Sequence, residues 1–182
     1  MEKFTLDKND SILMVIDIQE RLVPTMKVAD QVIQNTSTLI ATAKQLGIPI
    51  ITTEQYPRGL GNTVPQLQDQ INSNYLFEKV SFTAYTPDVK DVLENLGRRK
   101  VMIVGMETHI CVFQTVRDLL SEGYEVFLAC DGICSRTKEN YKNGLALMAS
   151  MGAALTNTET ILFDLLKEAG TPEFKVLSKL IK

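Results

Sequence analysis

A repeated alternation of short apolar runs with helical patterns is the sequence feature that most constrains the fold. The first run, Ser11–Ile16, is strand-length and almost uniformly apolar, which is typical of a parallel strand buried on both faces. Helical spacing follows over residues 28–46, and Gly47 marks its end. Strands and helices alternate about five or six times, which predicts a three-layer α/β/α fold. Its mainly parallel, Rossmann-like sheet of about six strands is expected to have the order 3-2-1-4-5-6.

Glycine, proline and capping residues indicate where these elements begin and end. The predicted strands cover residues 11–16, 49–53, 75–80, 101–104, 124–129 and 153–156. The predicted helices cover residues 28–46, 87–96, 108–121, 137–151 and 161–167, with a last helix after Thr171. Residues 54–65 contain two glycines and two prolines and are predicted to form a long polar loop, of a length that is often functional.

Composition excludes several classes of function. The chain has 182 residues, 45% of them hydrophobic, and a formal charge of −3, so one domain over residues 1–182 is expected and a nucleic-acid surface is not. Three cysteines indicate a reducing compartment rather than a disulfide framework. The N-terminus lacks the apolar core of a signal peptide, and no apolar run is long enough to span a membrane. A cytoplasmic protein without nucleic-acid or membrane partners is therefore predicted.

The predicted central strand leads through Gly105 into a helix that begins near Cys111. Free backbone N–H groups and the positive end of the helix dipole favour the thiolate of a cysteine in that first turn. On an α-helix, Cys111 shares a face with Thr115 and Asp118, outside the apolar stripe. This placement favours a functional cysteine over a buried structural one.

A nucleophilic thiol requires a base, and the sequence offers two candidates. His109 is the only histidine, but residues two apart on a helix do not face each other. Asp17 ends the first strand, which neighbours the central strand in the predicted order, so Asp17 and Cys111 are expected side by side. An aspartate at a strand end also commonly caps a loop, and that alternative stays open.

A lysine near both groups would stabilise a thiolate. Lys79 lies near a predicted strand end, but spacing alone does not favour it over Lys90 or Lys100. Cys130 and Cys134 flank a predicted turn, and with one histidine in the chain they are interpreted as packing residues rather than metal ligands. The chain contains neither a Walker nor a GxGxxG pattern, so no metal or other cofactor is predicted.

Three ordered motifs resemble those of the isochorismatase-like cysteine hydrolases. They are Val15-Ile16-Asp17-Ile18-Gln19, Phe77-Glu78-Lys79-Val80-Ser81-Phe82 and Gly105-Met106-Glu107-Thr108-His109-Ile110-Cys111-Val112. The motifs are specific in combination, although each alone would be weak. The resemblance extends over nearly the whole chain, and the third motif is most like the isochorismatase-domain proteins with no settled substrate.

This resemblance implies a catalytic triad of Asp17, Lys79 and Cys111. It also implies a cis peptide bond between Met106 and Glu107 and an oxyanion hole of backbone amides from Glu107 to Cys111. A small-molecule substrate and a homo-oligomer are further implications. The positions expected to line the substrate pocket are Gln19, Tyr56, Thr108 and His109.

The chain departs from two branches of that family. The segment after the second strand, residues 54–59, contains no histidine, which disfavours the metal and the activity of the nicotinamidases. Isochorismatases that cleave a vinyl ether do not use a cysteine nucleophile. The sequence therefore predicts a cysteine hydrolase of a small amide or related C–N substrate, with an acyl-enzyme on Cys111. The alternatives are a non-catalytic binding or assembly member of the family and an isochorismatase-type ether hydrolase.

Overall fold

The computed structural model of the protein describes residues 4–71 and 73–181. Its strands are β1 (Ser11–Ile16), β2 (Ile50–Gln55), β3 (Leu76–Lys79), β4 (Lys100–Met106), β5 (Glu125–Cys134) and β6 (Ala154–Thr156). They form one parallel sheet in the order β3-β2-β1-β4-β5-β6, which confirms the predicted topology. The change of strand order falls between the central strands β1 and β4, where ligands of such folds commonly bind.

Helices cover both faces of the sheet. They are α1 (Ala29–Gln45), α2 (Pro57–Leu60), α3 (Pro65–Gln68), α4 (Pro87–Leu96), α5 (Phe113–Ser121), α6 (Lys138–Ser150), α7 (Thr158–Leu166) and α8 (Pro172–Leu177). α1 and α7 pack on one face, and α4, α5 and α6 pack on the other. In the described part of the chain, no helix combines the length and apolar composition needed to cross a lipid bilayer.

Two apolar cores on opposite sides of the sheet hold these layers together. Successive residues of β1 alternate between them, since Leu13 and Val15 belong to the first core and Ile12 and Met14 to the second. Every residue of β1 and β4 is buried, which explains their continuous apolar sequences. Each fully buried Ile or Leu contributes about 1.5–3 kcal/mol to folding.

Three strands, β2, β4 and β5, extend beyond their predicted ends, and β4 reaches Met106. β2 continues through Gln55, so the predicted loop of residues 54–65 starts later and contains the short helix α2. β5 continues to Cys134, and the turn predicted between Cys130 and Cys134 is part of this strand, with an irregular register against β4. Polar residues and glycine conceal these extensions in the sequence, although their backbones still pair with a neighbouring strand.

The helix predicted from residue 108 begins with a π-helical turn, Thr108–Val112, before α5 starts at Phe113. The backbone N–H of Val112 donates to the carbonyl oxygen of Glu107 at 3.2 Å, five residues earlier in the chain. π-Helical turns are rare and frequently lie at functional sites. Residues in this turn therefore do not follow α-helical spacing.

Gly105 brings β4 close to the end of β1. Its φ is +136°, and a Cβ atom at this position would overlap the carbonyl oxygen of Ile16. Only glycine combines this backbone conformation with such a close approach. The ends of β1 and β4, and the residues that follow them, are thereby held next to each other.

Candidate active site

Asp17 follows β1 directly at the carboxyl edge of the sheet, where it is completely buried. Its φ of 53° lies in the left-handed region, which aspartate tolerates better than most residues. The backbone N–H of Asp17 donates to the carbonyl oxygen of Thr53 at 3.1 Å, and the Thr53 hydroxyl donates to Oδ1 of Asp17 at 2.8 Å. The end of β2 thus orients the Asp17 carboxylate.

Lys79, the last residue of β3, directs its ammonium group at Asp17. Nζ donates to Oδ2 of Asp17 at 2.7 Å, and both side chains are 0% exposed. Nζ also contacts Oε1 of Gln55 at 2.7 Å and the carbonyl oxygens of Ser81 and Phe82 at 3.2 and 3.0 Å. An ammonium group has three protons, so these acceptors use all of its donors and fix the position of Nζ.

The pKa of Asp17 reflects two opposing effects. Burial raises this pKa above its ordinary value of 3.8, because a carboxylate loses its hydration inside the protein. The charge and hydrogen bond of Lys79 offset part of that rise, followed by the hydrogen bond of Thr53. Asp17 is consequently a stronger base than an exposed aspartate.

Gln55 is a site residue that the sequence analysis did not identify. Besides contacting Nζ of Lys79, its Nε2 donates to the carbonyl oxygen of Val80 at 2.9 Å. The side chain of Gln19 fixes the backbone of Gln55 through two hydrogen bonds. Its Oε1 accepts from the Gln55 N–H at 2.7 Å, and its Nε2 donates to the Gln55 carbonyl oxygen at 3.0 Å. Nε2 of Gln19 also donates to Gly61 at 2.7 Å, so its amide is occupied within the protein.

Cys111 lies in the π-helical turn after β4 and belongs to the second apolar core. It is 6% exposed, so the prediction that it lies outside the apolar face is wrong. The π-helical turn explains the error, because side chains there point in other directions than α-helical spacing gives. Thr115 is also buried, and its hydroxyl donates to the carbonyl oxygen of Cys111 at 2.6 Å.

The surroundings of Cys111 favour the protonated form of its thiol. Burial, followed by the negative charge of Asp17, raises the pKa of Cys111 from 9.0 to about 12, while the charge of Lys79 lowers it. The expectation that the helix dipole favours a thiolate is therefore wrong for this state. The interaction of the Cys111 thiol with the Asp17 carboxylate adds to the rise, so the thiol proton lies near a potential acceptor.

The segment between β4 and Cys111 contacts the residues that follow β5. The peptide bond between Met106 and Glu107 is cis. The buried Glu107 carboxylate accepts hydrogen bonds from the backbone N–H of Arg136 at 2.9 Å and from its Nε at 3.1 Å. Thr108 is also fully buried, and within residues 4–71 and 73–181 its hydroxyl has no hydrogen-bond partner.

His109 and Tyr56 lie at the margin of the cluster. Nδ1 of His109 is 3.0 Å from the hydroxyl oxygen of Ser135, so this imidazole faces the end of β5. Tyr56 is 54% exposed, has a φ of 39°, and packs its ring against Gly59. Neither side chain forms a hydrogen bond with Cys111 in the described residues.

The described residues contain no group of three His, Cys, Asp or Glu side chains arranged to hold a metal ion. Glu54, at the position where a metal loop would begin, is buried and bonded elsewhere. Its Oε1 accepts from the backbone N–H of Thr63 at 2.6 Å and from the Thr63 hydroxyl at 2.8 Å. The chemistry available at this site is that of a thiol, a carboxylate and a fixed ammonium group.

The fold and this cluster define a class, a three-layer α/β protein with a cysteine beside a buried aspartate–lysine pair at the switch in strand order. Residues 11–160 match the isochorismatase domain family. The chain belongs to the isochorismatase family, whose members are generally hydrolases.

Individual relatives and solved structures cover most of the chain. It is 37% identical to the secreted isochorismatase effector Isc1 of Phytophthora sojae, over 96% of this chain and 85% of that protein. It is also 37% identical to isochorismatase domain-containing protein 1 of Salmo salar, over 94% of this chain and 61% of that protein. The structure of MAR1 ribonuclease from Caenorhabditis elegans superposes with a TM-score of 0.92 at 36% identity, over 97% of this chain and 92% of that one.

Proposed function

We propose that the protein is a cysteine hydrolase of a small amide or related C–N substrate, with Cys111 as nucleophile, Asp17 as general base and acid, and Lys79 as electrostatic stabiliser. The observation that carries this proposal is the buried pair of Lys79 Nζ and Asp17 Oδ2, 2.7 Å apart, beside the Cys111 thiol. Buried charges are costly to maintain, and such strongly perturbed groups concentrate at functional sites.

The first half of the reaction follows from the protonation states. Asp17 takes the thiol proton as the Cys111 sulfur attacks the substrate carbonyl carbon, and the C=O electron pair moves onto the oxygen. Once Asp17 is neutral, it no longer repels the sulfur anion, whereas the charge of Lys79 still stabilises it. Backbone N–H groups from Glu107 to Cys111 would bind the oxyanion. The tetrahedral intermediate then breaks its C–N bond, and Asp17 protonates the leaving amine.

The second half returns the enzyme to its starting state. Asp17, again a carboxylate, takes a proton from a water molecule as the water oxygen attacks the thioester carbon. Collapse of this intermediate breaks the C–S bond and releases the acid, and Cys111 recovers its proton from Asp17. The 6% exposure of Cys111 supports a small substrate, because little surface is open to a bulky one.

The alternatives differ in what they require of Cys111. An ether hydrolase or a binding member of the family would not form a covalent acyl intermediate. The C. elegans relative carries the name of a ribonuclease, but here the net charge of −3 gives no general attraction for a polyanion. An intracellular location and a homo-oligomer stay predictions, and the P. sojae relative is named as a secreted protein.

The test is a panel of small aliphatic and aromatic amides and esters, with ammonia or alcohol release measured alongside intact protein mass. We expect turnover of at least one amide and an acyl adduct on Cys111. Cys111→Ala should lower turnover by about 10⁴-fold or more and abolish the adduct. Cys130→Ala, which removes a half-buried cysteine on β5, should retain both. Turnover that survives Cys111→Ala, or an adduct on another residue, would contradict the proposal.

A further inference from the structure

A cavity of about 660 Å³ opens at the carboxyl end of β5, between the first turns of α1 and α6. Its buried wall includes Val32, Ile133 and Cys134. Its exposed rim carries three cationic side chains: Lys27, Arg136 and Lys138. Asp17, Lys79 and Cys111 do not line it, so this β5 cavity is separate from the buried cluster. Its volume lies in the range of pockets that bind small organic molecules.

The rim cations retain free hydrogen-bond donors. Within the described residues, neither Lys27 nor Lys138 forms an ion pair or a side-chain hydrogen bond. Arg136 uses Nε and its backbone N–H for Glu107, and the two terminal nitrogens of its guanidinium group have no partner in that same part of the chain. Glu107 thus holds the Arg136 side chain in place, and the terminal nitrogens of the guanidinium group stay available to a ligand.

Two acidic residues, Asp131 and Glu139, also line the β5 cavity. Oδ1 of Asp131 accepts hydrogen bonds from the backbone N–H and the hydroxyl of Thr158, at 2.8 and 2.9 Å, so that carboxylate is partly satisfied within the protein. The lining therefore carries three positive against two negative side chains. This balance suits a monoanion better than a dianion such as phosphate.

We propose that the β5 cavity binds a small carboxylic acid with an apolar or aromatic body. The body would lie against Val32, Ile133 and Tyr141, and the carboxylate would accept hydrogen bonds from the terminal nitrogens of Arg136. Planar guanidinium groups bind carboxylates through two parallel hydrogen bonds, which are stronger than neutral ones. Lys27 and Lys138 add attraction at the mouth. The site does not depend on the proposed hydrolysis at Cys111.

The experiment is isothermal titration calorimetry with 3-phenylpropionate, and with 3-phenylpropanol as a neutral ligand of similar shape. We expect saturable binding of the acid and at least about tenfold weaker binding of the alcohol. Binding of the acid should be weakened by a similar factor in the double variant Lys27→Gln/Lys138→Gln and in the single variant Arg136→Gln. Val28→Trp should abolish binding, because Val28 is 48% exposed at the mouth and an indole ring in place of its small side chain would fill the opening.

Two controls separate this site from others. Lys142→Gln removes an exposed cation of α6 that does not line the cavity, and it should bind the acid as the unaltered protein does. Cys111→Ala should also bind it normally, whether or not the protein hydrolyses amides. Absence of binding at millimolar acid overturns the proposal. The proposal is also overturned if Val28→Trp and the double lysine variant both bind the acid as tightly as the unaltered protein does. It is likewise overturned if Cys111→Ala is the only variant that loses binding.

Discussion

Two neighbouring parts of the same sheet edge carry charged side chains in opposite ways. At the ends of β1 and β3, the side chains of Asp17 and Lys79 are 0% exposed, and every donor of the ammonium group has a protein acceptor. Beyond β5, the Arg136 side chain is 55% exposed, and only one edge of it is held by Glu107. A buried charge depends on each of its partners, whereas an exposed one is supported by water. The first region is therefore expected to be sensitive to substitution and the second tolerant of it.

The largest effect is expected for Lys79→Met, measured as the free energy of unfolding in urea at pH 7. The substitution leaves the Asp17 carboxylate buried without its counter-ion, which costs about 3–5 kcal/mol. Asp17→Asn/Lys79→Met removes both charges and should recover part of that loss. The control is Lys90→Met, since the Lys90 side chain is 42% exposed and its ion pair with Glu94 spans 3.8 Å. A loss of the same size for Lys90→Met would remove the distinction between the two regions.

The next effect concerns the pH dependence of Cys111 alkylation, measured with iodoacetamide in a Cys130→Ala/Cys134→Ala background. Because burial and Asp17 raise the pKa of Cys111 to about 12, the thiolate fraction grows about tenfold per pH unit below that value. The alkylation rate should increase about 100-fold from pH 8 to pH 10 without a plateau. An ordinary peptide thiol, the reference in the same buffers, levels off above its pKa of about 8.5. A plateau for Cys111 by pH 8 would show a thiolate activated in the resting state.

The smallest effect is expected at the rim of the β5 cavity. Lys27→Gln/Lys138→Gln removes two exposed charges without protein partners in the described residues, so stability should change by no more than about 0.5 kcal/mol per substitution. Thermal unfolding in the absence of added ligand measures this change. A loss of several kcal/mol would mean that the rim is part of the structural framework instead.

The sequence allowed the fold and part of the candidate site to be predicted. Buried parallel strands need apolar residues on both faces, so β1 and β4 are visible as continuous runs, and alternation with helices determines the topology. Strand order then brings Asp17 and Cys111 together without any knowledge of side chains. Lys79 could not be selected over Lys90 by spacing, because its environment depends on acceptors from Gln55 and from two backbone carbonyls.

Two further features that the sequence pattern does not predict, the role of Gln55 and the burial of Cys111, have physical reasons. The sequence predicts a loop at Gln55 because polar residues end the apolar run, yet its backbone still pairs with β3 and its amide contacts Lys79. The helical pattern predicts the wrong face for Cys111, because a π-helical turn breaks the 3.6-residue period on which such predictions depend. Its pKa follows from that burial, and it moves in the opposite direction from the effect of the helix dipole alone.

Burial of Cys111 in the second apolar core also determines when during synthesis the thiol becomes protected. Lys79 and Asp17 are 62 residues apart in the chain, and β4 and its cysteine emerge later still, so the cluster forms only when the sheet closes. Until then Cys111 is a solvated thiol with an ordinary pKa of about 8.5, whereas burial raises its pKa to about 12 in the folded protein. A nascent or unfolded chain therefore exposes more thiolate to oxidants than the finished protein does, and burial of Cys111 in the second apolar core also shields this sulfur from oxidative damage.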